Sequence, residues 1–129
     1  MVLLAVLASA TACAQPGATA DDPTESTGTL ASAAPVVVYA GLDDTGQAVR
    51  VDAYVAEIVE GDGTCVVEMT NGDERVEAES VAVPDATTTW CEEATFAVAD
   101  LSPGSWQVVV GYSSPTSEGR SESVEVQVP

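Results

Sequence analysis

Residues 36–129 are predicted to form an all-β sandwich of about seven strands, and three observations lead to this prediction. Short valine-rich runs, in which apolar and polar residues alternate, are typical of strands that bury one face. Glycine, proline, asparagine and aspartate separate these runs, as they do between the strands of antiparallel sheets. No segment shows the period of about 3.6 residues that an amphipathic helix needs.

The strands are assigned in chain order from this alternation. Asn71-Gly72 predicts a tight hairpin between the third and fourth strands, because both residue types tolerate a positive φ. Within the fourth strand the apolar phase switches at Val81 and Val83, which predicts a β-bulge near Ser80. The predicted strands cover residues 36–40, 49–55, 65–69, 76–83, 96–98, 106–112 and 124–128.

One turn and the strand after it resemble a known family. Residues 101–112 read Leu-Ser-Pro-Gly-Ser-Trp-Gln-Val-Val-Val-Gly-Tyr. This run resembles the turn and F strand of fibronectin type III and related bacterial immunoglobulin-like domains. The resemblance implies an immunoglobulin-like β-sandwich for residues 36–129, with Trp106 in or beside the core. The inter-sheet disulfide pattern of antibody domains is absent, and many unrelated functions share this fold.

The N-terminal segment predicts export from the cell. Residues 1–12 contain no charge and combine an apolar run with small residues, which is typical of a signal peptide. At about 12 residues this segment is too short to cross a bilayer as a helix, which takes about 20. The positive charge that usually precedes the apolar run is missing.

The run Ala-Thr-Ala-Cys that ends at Cys13 resembles a bacterial lipobox, although that pattern prefers leucine where this chain has Ala10. The resemblance implies cleavage before Cys13 and diacylation of that cysteine. Two acyl chains suffice for stable anchoring. We therefore expect a lipid-anchored protein on the extracytoplasmic face of the cell membrane. Plain secretion, with cleavage after Ala12 or Ala14, is the alternative.

Residues 13–35 are expected to form a flexible tether between the lipid anchor and the domain. Small and polar residues dominate this stretch, with a lone Leu30, and neither the strand nor the helix period is visible. Such a composition buries too little apolar surface to offset the entropy of ordering. The expected organisation is a signal peptide over 1–12, a tether over 13–35 and a domain over 36–129.

The three cysteines are expected to divide into one lipid anchor and one pair. If Cys13 carries lipid, Cys65 and Cys91 remain, and an even remainder in an exported domain predicts a disulfide between them. Closing a loop of that size stabilises by about 3 kcal/mol in the chain-entropy model. Redox chemistry or a thiolate metal site is not expected, because CxxC spacing and histidine are both absent.

The charge balance excludes several classes of function. The chain carries 21 acidic and 3 basic residues, a net charge of −18, with no lysine and no histidine. Such a surface repels phosphate backbones, so nucleic acid is not an expected partner. Catalysis that depends on histidine or lysine is impossible, and neither enzymatic activity nor a cofactor is expected. The charge is interpreted as serving solubility, or as attracting cations or a basic partner.

Two acidic motifs are interpreted as structural rather than catalytic. The Asp-Thr-Gly triplet at residues 44–46 matches that of aspartic proteases, but Asp43 stands where that family has an apolar residue, so a turn is predicted. Glu92 and Glu93 are adjacent, and neighbouring strand residues point to opposite faces, so they cannot flank one bond. A solvated edge is predicted for them.

A calcium site made by clustered loops is a minor alternative. Asp43, Asp44 and Asp62 lie in predicted turns, as do Asp73 and Glu74, and carboxylates from neighbouring loops can bind a hard cation. The spacing of an EF-hand is absent. The first three aspartates are therefore weak calcium candidates, and no metal is otherwise expected.

Two functions of different kinds remain. The first is a non-catalytic module for protein interaction, adhesion or envelope structure, whose partner is another envelope or extracellular protein. The second is a module that binds carbohydrate or a small ligand through exposed aromatic rings. Trp90, beside Cys91, is the tryptophan expected to be partly exposed and to contact a ligand. An exposed Trp90 coplanar with a tyrosine favours the second function, whereas a bare acidic surface favours the first.

Overall fold

The computed structural model describes residues 29–129, and this part of the chain is all-β, as predicted. Ten strands share one hydrogen-bonded order within these residues, where about seven were predicted. A 3₁₀ turn at Val98–Asp100 separates β7 from β8. The strands are β1 Ala31–Ser32, β2 Ala34–Leu42, β3 Ala48–Ala56, β4 Thr64–Asn71, β5 Glu74–Pro84, β6 Thr88–Cys91, β7 Ala94–Ala97, β8 Gly104–Ser113, β9 Ser117–Arg120 and β10 Val124–Val128.

Short strands account for the excess over the prediction. β1 falls in the segment predicted as tether, β6 precedes the strand predicted at Phe96, and β9 lies in a segment predicted as loop. β9 reads Ser-Glu-Gly-Arg and has no apolar alternation. The residues that β9 turns inward are Ser117 and Gly119, which are not apolar, so the sequence pattern does not reveal this strand.

The sheet curls until its two ends meet. The strand order is β1-β9-β8-β4-β5-β6-β3-β2, while β10 pairs with β8 and β7 with β3 beside this path. All pairs are antiparallel except β1 with β9. β1 and β2 stand at opposite ends of the order, yet Ala33 alone separates them along the chain. The inner faces therefore enclose one common core.

The core is built mainly from the inward-facing residues of β3, β4 and β8, which alternate with less buried ones. Trp106 is 1% exposed, and its indole nitrogen donates a hydrogen bond of 2.9 Å to the carbonyl oxygen of Ser102. This confirms the core position expected for Trp106. Other large, fully buried side chains are Met69, Val49, Val51, Val55, Val108 and Val110.

The predicted disulfide joins Cys65 of β4 to Cys91 of β6, and the two Cα atoms are 5.8 Å apart. In the strand order β5 lies between these two strands. Two strands that flank a third in a flat sheet are about 9.6 Å apart, at about 4.8 Å per strand. The sheet is therefore folded sharply at β5, and the disulfide closes that fold from inside.

β5 changes its partner along its length. Residues 74–81 pair with β4 and residues 82–84 pair with β6, and the register with β4 runs through without a shift. The β-bulge predicted near Ser80 is therefore wrong. Val81 and Val83 are 60% and 53% exposed, whereas Ala82 is buried. Because Ser80 and Ala82 lie opposite the two disulfide cysteines, the inner side of β5 takes small residues at this point, and Val81 and Val83 stay outside.

The hairpin predicted at Asn71-Gly72 is confirmed. Asn71 pairs with Glu74, which leaves Gly72 and Asp73 as the turn between β4 and β5. Gly72 has a φ of 62°, a conformation that glycine adopts without the strain of a side chain. The sequence thus located the hairpin, but the two turn residues are Gly72 and Asp73 rather than Asn71 and Gly72, and Asn71 is the last residue of β4.

The strands begin upstream of Val36, where the sequence placed the start of the domain. β1 runs parallel to β9, and the amide of Ala33 donates a hydrogen bond of 2.8 Å to the carbonyl of Glu118. A β-carbon at Gly119 would lie 1.8 Å from the carbonyl oxygen of Ala33. The missing side chain of Gly119 therefore lets the incoming chain close the sheet.

The predicted signal peptide, Cys13 and most of the predicted tether lie outside the described residues. Export and lipidation therefore stay predictions. In the part of the chain that the structure describes, no helix has the length and apolar character needed to cross a membrane.

We expect Gly119→Ala to displace β1 and to lower the free energy of unfolding by about 1–3 kcal/mol, as overpacking substitutions do. Gly111→Ala is the matched control, because a β-carbon at Gly111 has no neighbour closer than 4.0 Å. Chemical denaturation measures the stability, and hydrogen exchange at the Ala31 and Ala33 amides reports β1. Equal stability and exchange in the two variants would show that Gly119 does not hold this strand in place.

Candidate functional site

An apolar row crosses the outer face of the sheet on four neighbouring strands. Val83 of β5 is the cross-strand partner of Trp90 of β6. Trp90 in turn pairs with Tyr54 of β3, and Tyr54 pairs with Val36 of β2. Val83, Trp90 and Val36 are 53%, 41% and 38% exposed, and Tyr54 is half-buried. We call these four residues the apolar row.

The two aromatic rings of the row pack against each other. The ring centroids of Tyr54 and Trp90 are 5.2 Å apart, and the ring planes are inclined by 44°. This separation lies within the range of about 4.5–7 Å in which aromatic pairs attract. The rings therefore hold each other in place, but they do not form one flat platform.

The disulfide explains why Trp90 points outward. β6 is a strand, so its side chains alternate between the two faces of the sheet. Thr89 and Cys91 are buried at 0% and 7% exposure, which leaves Trp90 on the outer face. The partial exposure of Trp90 agrees with the expectation from its place beside Cys91. Its role as a ligand contact stays a prediction.

A charged and aromatic cluster borders the apolar row on β2 and β3. The guanidinium carbon of Arg50 lies 4.7 Å from the ring centroid of Tyr39, which makes a cation–π contact. Arg50 Nε is 3.2 Å from Glu93 and 3.4 Å from Asp52, although it makes no aligned hydrogen bond. The charge of Arg50 is thus offset by two carboxylates, and this border of the row is acidic.

The two acidic motifs lie where the sequence predicts them. The Asp-Thr-Gly triplet at 44–46 lies in the turn between β2 and β3. Glu92 and Glu93 are exposed in the break between β6 and β7. Glu93 contacts Arg50 there, so this pair belongs to a solvated edge.

The structure does not bring the weak calcium candidates together. Asp43 and Asp44 lie at the turn after β2, whereas Asp62 lies in the loop after β3. Within residues 29–129 there is no group of three or more Asp, Glu, Cys or His residues that could hold a metal ion. Asp43 instead accepts a hydrogen bond of 2.8 Å from the hydroxyl of Thr45, which is the main cause of its lowered pKa.

A polar cluster that the sequence did not reveal centres on Glu60, in the loop between β3 and β4. Its carboxylate accepts hydrogen bonds from the hydroxyls of Tyr112 and Thr116, both at 2.5 Å, and of Ser117 at 3.2 Å. These bonds lower the pKa of Glu60 to about 2, and the bond from Thr116 contributes most. Burial, and then the bond to Glu60, raises the pKa of Tyr112 to about 12. The cluster keeps one charge state near neutral pH, which suits holding a loop rather than moving protons.

A groove of about 520 Å³ lies on the outer face beside β8 and β9, above Gly111 and Gly119. Val66 and Arg120 also line it. Arg120 is 3.1 Å from the carboxylate of Glu68, so its charge is already paired. No cation of the groove is left to orient an anionic ligand. We take the apolar row as the stronger candidate for a binding surface because it carries the exposed Trp90, and tryptophan is enriched in binding hot spots.

Of the apolar row, Trp90 alone was predicted from the sequence. The sequence did carry a signal that Tyr54 faces outward, because it lies on the polar face of its strand between two buried positions. Val83 was assigned to the wrong face, because the sequence pattern places valines in the core. The four residues form a row because β5 and β3 pair with β6, and the sequence does not show which strands pair.

Comparisons of the chain with protein-family models, with curated proteins and with solved structures found no match.

Glu60→Gln removes the charge that three hydroxyls bind, so we expect the free energy of unfolding to fall by about 1 kcal/mol at neutral pH. Because the folded pKa of about 2 lies below the ordinary 4.5, Glu60 stabilises fully above pH 4.5. This contribution is lost as the pH falls toward 2, and the variant should lack that part of the acid dependence. Urea unfolding across this pH range measures both effects.

Glu79→Gln is the control for this experiment, because it removes an exposed carboxylate of β5. We expect its acid profile to follow that of the unaltered protein. A Glu60→Gln profile that also runs parallel to the unaltered one would contradict the role of the hydroxyl cluster.

Proposed function

We propose that this chain is an exported bacterial lipoprotein whose immunoglobulin-like β-sandwich domain is a non-catalytic module for protein interaction. The observation that carries the proposal is the apolar row, which is exposed on a chain with a net charge of −18. The partner is another envelope or extracellular protein, and the interaction serves adhesion or envelope structure.

The division of the strands supports the immunoglobulin-like assignment. β2, β3, β6 and β7 pair with one another, and β4, β8, β9 and β10 do so separately. β5 passes from the second group to the first. Immunoglobulin-like domains likewise place two antiparallel sheets around one core. The resemblance of residues 101–112 to fibronectin type III domains points to the same family of folds.

The composition of the apolar row supports a protein as the partner. Tryptophan and tyrosine concentrate binding energy in protein interfaces, and exposed apolar patches on small proteins are often functional. The contact between Tyr54 and Trp90, with centroids 5.2 Å apart, orders both rings before any partner arrives. Less side-chain entropy is then lost on binding.

The leader and Cys13 support the proposed location. Residues 1–12 have the composition of a signal peptide, and the residues up to Cys13 resemble a lipobox. A diacylated Cys13 holds the chain at the extracytoplasmic face of the cell membrane. The residues between Cys13 and β1 then act as a spacer that lets the domain reach partners beyond the lipid headgroups.

Binding of a carbohydrate is the second candidate function. The exposure of Trp90 beside Tyr54 favours it, because sugar rings stack on aromatic faces. The inclination of 44° between the ring planes favours a protein partner instead, because a flat saccharide contacts coplanar rings.

The lipoprotein part of the proposal is tested by the intact mass of the protein from a bacterial membrane fraction, with and without reductant. We expect a mature chain that starts at Cys13, carries a diacylglycerol-sized addition and gains two hydrogens on reduction. The two hydrogens report the bond between Cys65 and Cys91. A soluble, unmodified chain with another start would contradict the lipid anchor and favour a secreted module.

The interaction is tested by a photo-crosslinking residue in place of Val83, on the apolar row, in intact cells. We expect adducts with another envelope protein, and we expect Trp90→Ala to reduce them about tenfold or more, as for an interface hot spot. The same residue in place of Gln107, which is exposed on β8, is the matched control. Equal adducts at both positions would contradict the proposal, and adducts with polysaccharide would favour the second candidate.

A further inference from the structure

The edge of β2 that does not face β3 is a second surface, and no strand of the described residues pairs with it. The first half of β2 lies close to β10, and residues 35–37 line a cleft there with Glu122 and Val124. β2 ends the strand order and is paired with β3 along its other edge. Its nine residues, Ala34–Leu42, include no charged side chain, in a chain with 21 acidic residues. Unpaired backbone N–H and C=O groups along such an edge form a template for another strand.

Sheets usually protect an open edge with a short strand, charged residues, proline or a bulge. At the opposite end of the order, β1 has two residues, and β9 beside it carries a glutamate and an arginine. On β2, Pro35 stands near the start and a register shift lies between Val37 and Tyr39. These features leave residues 39–42 as a regular, uncharged edge, on which the hydroxyl of Tyr39 donates a hydrogen bond of 2.5 Å to the carbonyl oxygen of Leu42. An added strand competes with that hydroxyl for the carbonyl.

The bulge in β2 adds exposed apolar side chains to this edge. Val38 and Tyr39 are 54% and 39% exposed. Val36, on the same strand, belongs to the apolar row. A strand added beside β2 would therefore extend the row by one position, and the edge and the row form one continuous surface.

We propose that the edge of β2 takes up an extended segment of the partner protein as an additional β-strand, and that this segment carries basic as well as apolar side chains. The inference rests on the proposed interaction function and names its binding mode. In this mode main-chain hydrogen bonds supply affinity, and alternate side chains supply specificity. Basic side chains complement the net charge of −18 and the carboxylates of Asp52 and Glu93 beside the row.

A second copy of this chain fits the edge less well. Pairing two β2 edges brings together two chains that each carry a net charge of −18, and like-charge repulsion opposes that assembly. A segment with lysine or arginine gains from the same field. The charge complementarity therefore selects a basic partner over self-association.

The test uses the full chain and three synthetic peptides with the length of residues 36–42. The first peptide alternates valine and lysine, and the second alternates valine and glutamate. The third is the valine–lysine peptide with N-methylated backbone amides, which lose their donors while charge and side chains stay the same. Hydrogen exchange at the amides of β2 reports the addition of a strand.

We expect the saturating valine–lysine peptide to slow exchange along β2 about tenfold or more, because amides of the free edge gain acceptors. The other two peptides should give no protection. No protection by the valine–lysine peptide, or equal protection by its N-methylated form, would overturn the proposal. Equal protection by the glutamate peptide would overturn the basic character of the partner. A dimer in sedimentation whose β2 amides are already protected would assign the edge to a second copy and also overturn it.

Trp90→Ala separates this inference from the proposed function. Trp90 lies on β6, so its removal leaves the backbone of the β2 edge unchanged, and we expect the peptide to protect β2 in this variant as well. Protection of β2 without any adducts at position 83 would contradict binding at the apolar row and support strand addition at the β2 edge. Adducts at position 83 without protection of β2 would support binding at the apolar row and contradict strand addition at the β2 edge.

Discussion

The disulfide between β4 and β6 holds the sheet folded across β5, and the arrangement of both faces depends on this fold. The two cysteines lie opposite Ser80 and Ala82, so the inner side of β5 carries small residues at this point, and Val81 and Val83 face outward. Burial of Cys91 turns Trp90 to the outer face of the same sheet. One covalent bond therefore shapes both the core and the surface that we propose for binding.

Hydrogen bonds and a glycine close the sheet where the chain enters the domain. β1 pairs with β9, and Ala33 occupies the space that Gly119 leaves free. Glu60 draws the loop after β3 onto the turn before β9, through the hydroxyl of Thr116. The carbonyl of Thr116 also accepts a hydrogen bond from the amide of Ala31. The loop, the turn and the entering chain are thus joined at one end of the domain.

The charge and the apolar row act on different parts of an interaction. A net charge of −18 opposes non-specific association and steers a basic partner over long distances, and salt weakens both effects. Burial of the row acts at contact and does not depend on charge. Arg50 offsets only one of the two negative charges of Asp52 and Glu93, so the border of the row stays acidic. A partner with basic and apolar groups satisfies both requirements at once.

The sequence by itself determined the all-β character of the domain, the hairpin between β4 and β5 and the single disulfide, because alternation, turn preference and cysteine number are local or compositional. Only the tertiary structure decided that Val83, Trp90 and Val36 lie in one row, that β2 is an open edge and that β9 is a strand. These features depend on which strands become neighbours. Strand pairing joins residues far apart in the chain, and no local pattern encodes those contacts.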